Sequence, residues 1–407
     1  MQFIDLGAQR ARIEDRLNAA ISKVVAEGRY ILGPEVAEFE KKLGEYLGVE
    51  HVIACANGTD ALQMPLMARG IGPGDAVFVP SFTFAATAEV VALVGAEPVF
   101  IDVDAQSYNL NVEQLEAAIA AIRKEGRLQP KAIIPVDLFG LAADYNRISA
   151  IADREDLFVI EDAAQSIGGK RDNVMCGAFG HVGATSFYPA KPLGCYGDGG
   201  AMFTNDAELA DTLRSVLFHG KGETQYDNVR IGLNSRLDTI QAAVLLEKLA
   251  ILEDEMEARD RIAKRYNEAL KDVVKVPALP AGNRSAWAQY SIESDNRDGL
   301  KAHLQTEGVP SVIYYVKPLH QQTAYKHYSV APGGLPVSES LPNRILSTAD
   351  APLSVGSRSG QDHRRHSWFP RQKGLIFFAC LTKTRRKPGF LCFRLASSIA
   401  RKHRIYP

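Results

Sequence analysis

Apolar residues recur at helical spacing near the start of the chain. Ile13, Leu17, Ile21 and Val24 share one face, and Gly28 follows as a stop signal. Pro34 opens a second helical pattern whose stripe is Val36, Phe39, Leu43 and Leu47. Short apolar runs then alternate with helical patterns. The runs lie at 51–56, 76–80, 98–103, 132–138, 157–160, 184–187 and 200–204, and the helical patterns at 59–67, 85–94, 112–123 and 207–216. Runs that are apolar on both faces and joined by helices predict an α/β fold with a mostly parallel sheet covered on both sides.

Residues 237–270 contain no Gly or Pro and read as one long helix leading out of a large domain spanning 1–236. A small α/β domain follows at 271–347, with a Pro-rich entry at 276–280, strand patterns at 287–292 and 311–316, and a helix at 297–307. At 407 residues the chain suits such a pair of unequal cores.

With 46% apolar and 23% charged residues the composition is that of an ordinary globular protein. No apolar run reaches the length of a spanning helix, and the first residues lack the build of a signal peptide, so no membrane association is expected. Cys55, Cys176, Cys195, Cys380 and Cys392 are scattered and odd in number, which suits reduced thiols in a cytoplasm and no metal cluster. A net charge of −1 gives no electrostatic case for nucleic acid.

Ligands of parallel α/β sheets bind at the carboxyl ends of the strands. Polar residues stand at those places here: Asn57-Gly58-Thr59-Asp60 after the first run, Glu161-Asp162-Ala163-Ala164-Gln165 after the fifth, and Tyr188-Pro189-Ala190-Lys191 after the sixth. Each has a plain structural reading as a turn, a helix cap or a solvated lysine. Their order at successive strand ends favours a site. Pyridoxal phosphate needs a lysine amine to form an imine, a carboxylate to keep the pyridine nitrogen protonated, and a phosphate cradle. Lys191, 29 residues after Asp162, offers the amine and Asp162 the carboxylate. Gly58 and Thr59 open a helix whose free N–H groups suit a phosphate, and Ser186 is a further phosphate ligand candidate.

The segments CANGTDALQ, VIEDAAQSIGG, SFYPAKPLGCYGDGGAMFTND and NSRLDTIQAA resemble the DegT-type family of sugar aminotransferases, of pyridoxal-phosphate fold type I, over residues 3–347. The resemblance implies that Lys191 carries the cofactor and moves the proton, with Asp162 on the pyridinium nitrogen and Gln165 on the ring hydroxyl. It also implies that Phe84 stacks on the ring face and that Gly58, Thr59 and Ser186 hold the phosphate. Asn234 is implied to reach that phosphate from the other subunit of a homodimer with shared active sites. Arg236, Tyr314, Tyr315 and His320 match the region that contacts the sugar nucleotide. Within the family, the strongest likeness is to enzymes that aminate C3 of UDP-2-acetamido-2-deoxy-3-oxo-D-glucuronate for surface polysaccharide precursors, with L-glutamate as donor and 2-oxoglutarate as product. A dTDP-4-keto sugar as acceptor, or a non-catalytic regulatory protein on the same fold, are the alternatives. Intact Lys191 and Asp162 weigh against the regulatory one.

One stretch departs from the family. From Thr348 onward, 13 Lys and Arg stand against 2 Asp and Glu, with no apolar period. With permitted codons, Thr348–Val355 read one base later gives LPMHPYL, the stretch that normally follows in the family. Residues 348–407 are therefore expected to be a frameshift product, and sequencing the gene across the Thr348 codon tests this. A true basic arm for nucleic acid is the competing view.

Overall fold

The computed structural model describes residues 4–224 and 226–348. All seven apolar runs form strands of one sheet: β1 His51–Cys55, β2 Asp75–Pro80, β3 Glu97–Ile101, β4 Gln129–Ile133, β5 Phe158–Asp162, β6 Val182–Ser186 and β7 Gly200–Thr204. Their order is β1-β7-β6-β5-β4-β2-β3. The fold is thus α/β with a mostly parallel central sheet; β7 alone runs antiparallel, between β1 and β6.

Side-chain alternation explains why the runs look apolar throughout. On β2, Val77 and Val79 enter the core on one face with Phe100, Ile134 and Ile160, while Ala76 and Phe78 enter the opposite core with Val99, Ile101 and Ile133. Helices α3 Gly58–Ala68, α4 Ala86–Leu93 and α7 Ala207–Leu217 cover the first face. Helices α5 Val112–Glu125 and α6 Tyr145–Glu155 cover the second. The opening helices, α1 Leu6–Glu27 and α2 Pro34–Leu47, bury the stripes read from the sequence, and Gly28 caps α1 in the left-handed region at φ 70°.

The predicted linking helix is two helices, α8 Thr239–Leu249 and α9 Leu252–Leu270. The first packs against α1 and α2, whereas Ala263 and Leu270 of the second belong to the small-domain core. The direction changes at Ile251 (φ −115°, ψ 1°), where Glu253, Asp254 and Glu255 complement the N-terminal dipole of α9. No Gly or Pro marks the break.

The small sheet has β10 Ile345–Thr348 between β8 Tyr290–Glu293 and β9 Ser311–Val312, all antiparallel, with α10 Arg297–Thr306 packed on it through Leu300 and Leu304. Two features differ from the sequence reading. The strand at 311–316 stops at Val312, and part of 271–347 returns to the large domain. There Leu319, Tyr325 and Leu335 join the core of the first face, and the Ser329 carbonyl and Ala331 amide bond Phe100 on the sheet edge. The central strand β10 reaches Thr348; the rest of the proposed frameshift segment lies outside the described residues. Among the described residues, no helix is long and apolar enough to cross a membrane.

Candidate active site

The carboxyl ends of β1, β2, β5 and β6 converge. Beyond β1, Asn57 turns the chain into α3, and its side chain caps the helix by accepting the Asp60 amide at 2.8 Å. Helix geometry leaves the Gly58 and Thr59 amides without an intrahelical acceptor. Gly58 lies against Ser186 at the end of β6: a Cβ added at Gly58 would sit 2.6 Å from the Ser186 Cβ. The last residue of β5 is Asp162, buried, and after β6 the chain carries Lys191 on a turn closed by its amide to the Tyr188 carbonyl at 2.8 Å.

Lys191 and Asp162 lie close enough to act on each other's charge. Burial pushes the Lys191 ammonium below the ordinary lysine value, and the Asp162 carboxylate partly restores it. Burial also pushes the Asp162 carboxyl up, opposed by a 2.9 Å bond from the Thr87 hydroxyl and by Lys191. The Ala164 amide donates to the other Asp162 oxygen at 3.2 Å. Gln165 accepts the Phe139 amide at 3.0 Å, and its Nε2 lies 3.5 Å from the Tyr315 hydroxyl. Tyr315 packs edge-on against Phe82 and Tyr314, with centroids 5.8 and 5.7 Å away. Phe84, at the entry to α4, is 58% exposed.

Lys191, Asp162, Gln165 and Tyr315 are thus gathered together, and Gly58 with Ser186 beside them. Three candidates, Asn234, Arg236 and His320, stand apart. Asn234 is exposed on a strap bridged to Phe218. Arg236 holds its guanidinium 5.0 Å above the Phe218 ring. His320 is clasped on both ring nitrogens, by Ser81 Oγ at 2.6 Å and Glu339 at 3.1 Å, so it serves a substrate only if one bond opens.

Two site residues escape sequence reasoning. Thr87 lies one helical turn after Phe84 inside an apolar stretch and reads as helix interior. Ser235 sits between Asn234 and Arg236; its hydroxyl donates to Asp60 at 2.6 Å and accepts the Ala56 amide at 3.1 Å, bracing the turn before α3.

Residues 11–353 match the DegT/DnrJ/EryC1/StrS aminotransferase family. The chain belongs to this family. It is an aminotransferase, and its cofactor is pyridoxal phosphate. The aminotransferase is 47% identical over 348 residues to UDP-2-acetamido-2-deoxy-3-oxo-D-glucuronate aminotransferase of Pseudomonas aeruginosa, covering 85% of this chain and 94% of that one. It is 42% identical over 346 residues to UDP-N-acetyl-3-dehydro-alpha-D-glucosamine 3-aminotransferase of Acidithiobacillus ferrooxidans, covering 85% and 91%. The crystal structure of a DegT/DnrJ/EryC1/StrS aminotransferase from Brucella abortus superimposes with a TM-score of 0.90 at 84% identity, covering 95% of this chain and all of that one.

Proposed function

We propose that this aminotransferase moves the amino group of L-glutamate onto C3 of UDP-2-acetamido-2-deoxy-3-oxo-D-glucuronate, as a cytoplasmic homodimer with shared active sites. The observation that carries the reading is that buried Asp162 ends β5 and Lys191 follows the adjacent strand β6, near enough for each charge to act on the other. The names of the two relatives, both keyed to C3 of a UDP-linked 2-acetamido sugar, favour the acceptor.

The residues present suit the cofactor. Asp162 is an acceptor-only carboxylate in a site too buried to hold a bare charge comfortably, which favours a cationic ring nitrogen beside it. At Gly58 the backbone approaches Ser186 with no room for a Cβ, and the first amides of α3 are free to receive an anion. When bound, the cofactor supplies a protonated ring that draws electrons from the carbon bearing the amino group.

The chain does the rest. Gly58, Thr59 and Ser186 would hold the phosphate, Asp162 would keep the ring nitrogen protonated, Gln165 would meet the ring hydroxyl, and the exposed Phe84 would cover the ring. Lys191, made less basic by burial, is the group that takes the proton from the donor's α-carbon and returns it at the cofactor's C4′. In the second half it carries the proton in the opposite direction, onto C3 of the sugar. Tyr314 and Tyr315 line the approach of the sugar nucleotide, Arg236 holds the strap that carries Asn234 against Phe218, and His320 holds the Ser81 turn.

The strap before Asn234 exposes Tyr226 at 90% and Ile231 at 86%, and the turn before α2 exposes Ile31 and Leu32. Apolar surface of this extent on adjoining loops favours cover by a second copy, from which Asn234 completes the phosphate site. The test is a panel of UDP- and dTDP-linked keto sugars with L-glutamate, read by mass spectrometry. Amination of the UDP 3-oxo-glucuronate is expected; preferential turnover of a dTDP-4-keto sugar overturns the assignment.

A further inference from the structure

Behind Asp162 lies a second pair of carboxyls that the reaction does not use. Asp137 follows β4, Glu161 precedes Asp162 on β5, and both are fully buried. Their oxygens and the Cys176 sulfur all lie within 4.8 Å of one another. Asp137 Oδ1 accepts the Ala143 amide and the Tyr145 hydroxyl, each at 2.9 Å, and Oδ2 accepts the Ser166 hydroxyl at 2.8 Å. Glu161 accepts the Gly177 amide at 2.6 Å and the Phe179 amide at 2.8 Å, one on each carboxyl oxygen. The Tyr145 and Phe179 rings stack with centroids 4.4 Å apart.

Two carboxylates this close, in a site closed to water, cannot both stay ionised. We infer that Asp137 and Glu161 share one proton and act together as a positioning pair that aims Asp162 and Gln165 at the cofactor ring. The partners set where the proton sits: Asp137 faces three donors and keeps the charge, and Glu161, facing two, holds the proton. Burial first, and then the charge of Asp137, push the Glu161 carboxyl well up, in keeping with this. The titratable groups facing the pair are Tyr145 from α6, Cys176 from the loop before β6, and Asp162 itself.

The link to the site runs through one turn. The Asp137 amide donates to the Asp162 carbonyl at 3.1 Å. Ser166, held by Asp137, closes the turn onto Ala163 at 3.1 Å, and that turn carries the Ala164 amide that bonds Asp162 as well as Gln165. A divalent cation at the same place would have to displace N–H and O–H donors already seated on these oxygens.

This inference rests on Asp162 and Gln165 being the ring contacts. Its test compares the holoenzyme with Glu161→Gln, Asp137→Asn and Asp137→Ala. At neutral pH the infrared difference between wild type and Glu161→Gln should contain the C=O stretch of a buried carboxylic acid. Affinity for pyridoxal phosphate should fall about tenfold in Asp137→Ala, with Asp137→Asn recovering part of it. Absence of the acid band overturns the shared proton, as does a stoichiometric metal ion by elemental analysis. Wild-type cofactor affinity in a folded Asp137→Ala overturns the positioning role. The infrared band does not depend on which lysine bears the cofactor, so failure of the cofactor reading would be seen separately.

Discussion

The hydroxyl of Thr87 donates to Asp162 Oδ2 at 2.9 Å, tying the start of α4 to the end of β5. The bond stabilises the ionised carboxylate, the form that holds the cofactor nitrogen protonated. Thr87→Val removes it and moves the Asp162 carboxyl further up, so the acid limb of the rate profile shifts to higher pH. The loss of turnover at neutral pH should be about tenfold, with Thr87→Ser close to wild type. A rate–pH profile of both variants checks this; an unmoved acid limb in Thr87→Val contradicts it.

Gly58 is required by space. An alanine methyl would sit 2.6 Å from the Ser186 Cβ, under any normal contact. Either the turn before α3 or the end of β6 must shift, and both carry phosphate ligands. Gly58→Ala should weaken pyridoxal phosphate binding by about tenfold or more, since a displaced donor leaves charge unpaired. Equilibrium dialysis on the folded variant decides it, and unchanged affinity removes Gly58 from the cradle.

Much of this was legible in the chain because a strand buried on both faces has few ways to appear. Each of the seven apolar runs is a strand, with ends shifted by a few residues, and Asp162, Gln165, Ser186 and Lys191 stand at strand ends as expected. Periodicity carries no direction, so the antiparallel insertion of β7 between β1 and β6 was hidden. The break at Ile251 has no Gly or Pro to mark it, and only the acidic run Glu253–Glu255 hints at a new helix start. Thr87 was invisible because a threonine in an apolar helix gives no sign of the carboxylate it faces. The return of Leu319, Tyr325 and Leu335 to the large core is a long-range packing choice that short windows cannot register.

Lys248 of α8 is 2% exposed, and its ammonium donates to the Gly194 carbonyl at 2.6 Å, three residues beyond Lys191. Burial pushes this lysine down to about 8. The unfolded chain, with an ordinary lysine near 10.5, binds the extra proton between these values. Stability contributed by this group therefore rises with pH across that window and is lowest below about 8. Denaturant titrations at several pH values should show wild type gaining on Lys248→Met through the window, and parallel curves would refute the shift.

Shared active sites predict complementation. Lys191→Ala and Asn234→Ala chains, each inactive alone, should regain part of the activity when mixed, because a hybrid dimer holds one site with both residues intact. Size-exclusion chromatography with mass detection verifies that hybrids form. Hybrids without recovered activity would place Asn234 in its own subunit's site.

The central claim is that Lys191 bears the cofactor. Borohydride reduction of the holoenzyme fixes the cofactor to its lysine, and peptide mapping by mass spectrometry reads the position. The account predicts the pyridoxyl mass on Lys191, with no label and no visible cofactor absorbance in Lys191→Ala; a label on Lys248 or any other lysine contradicts it.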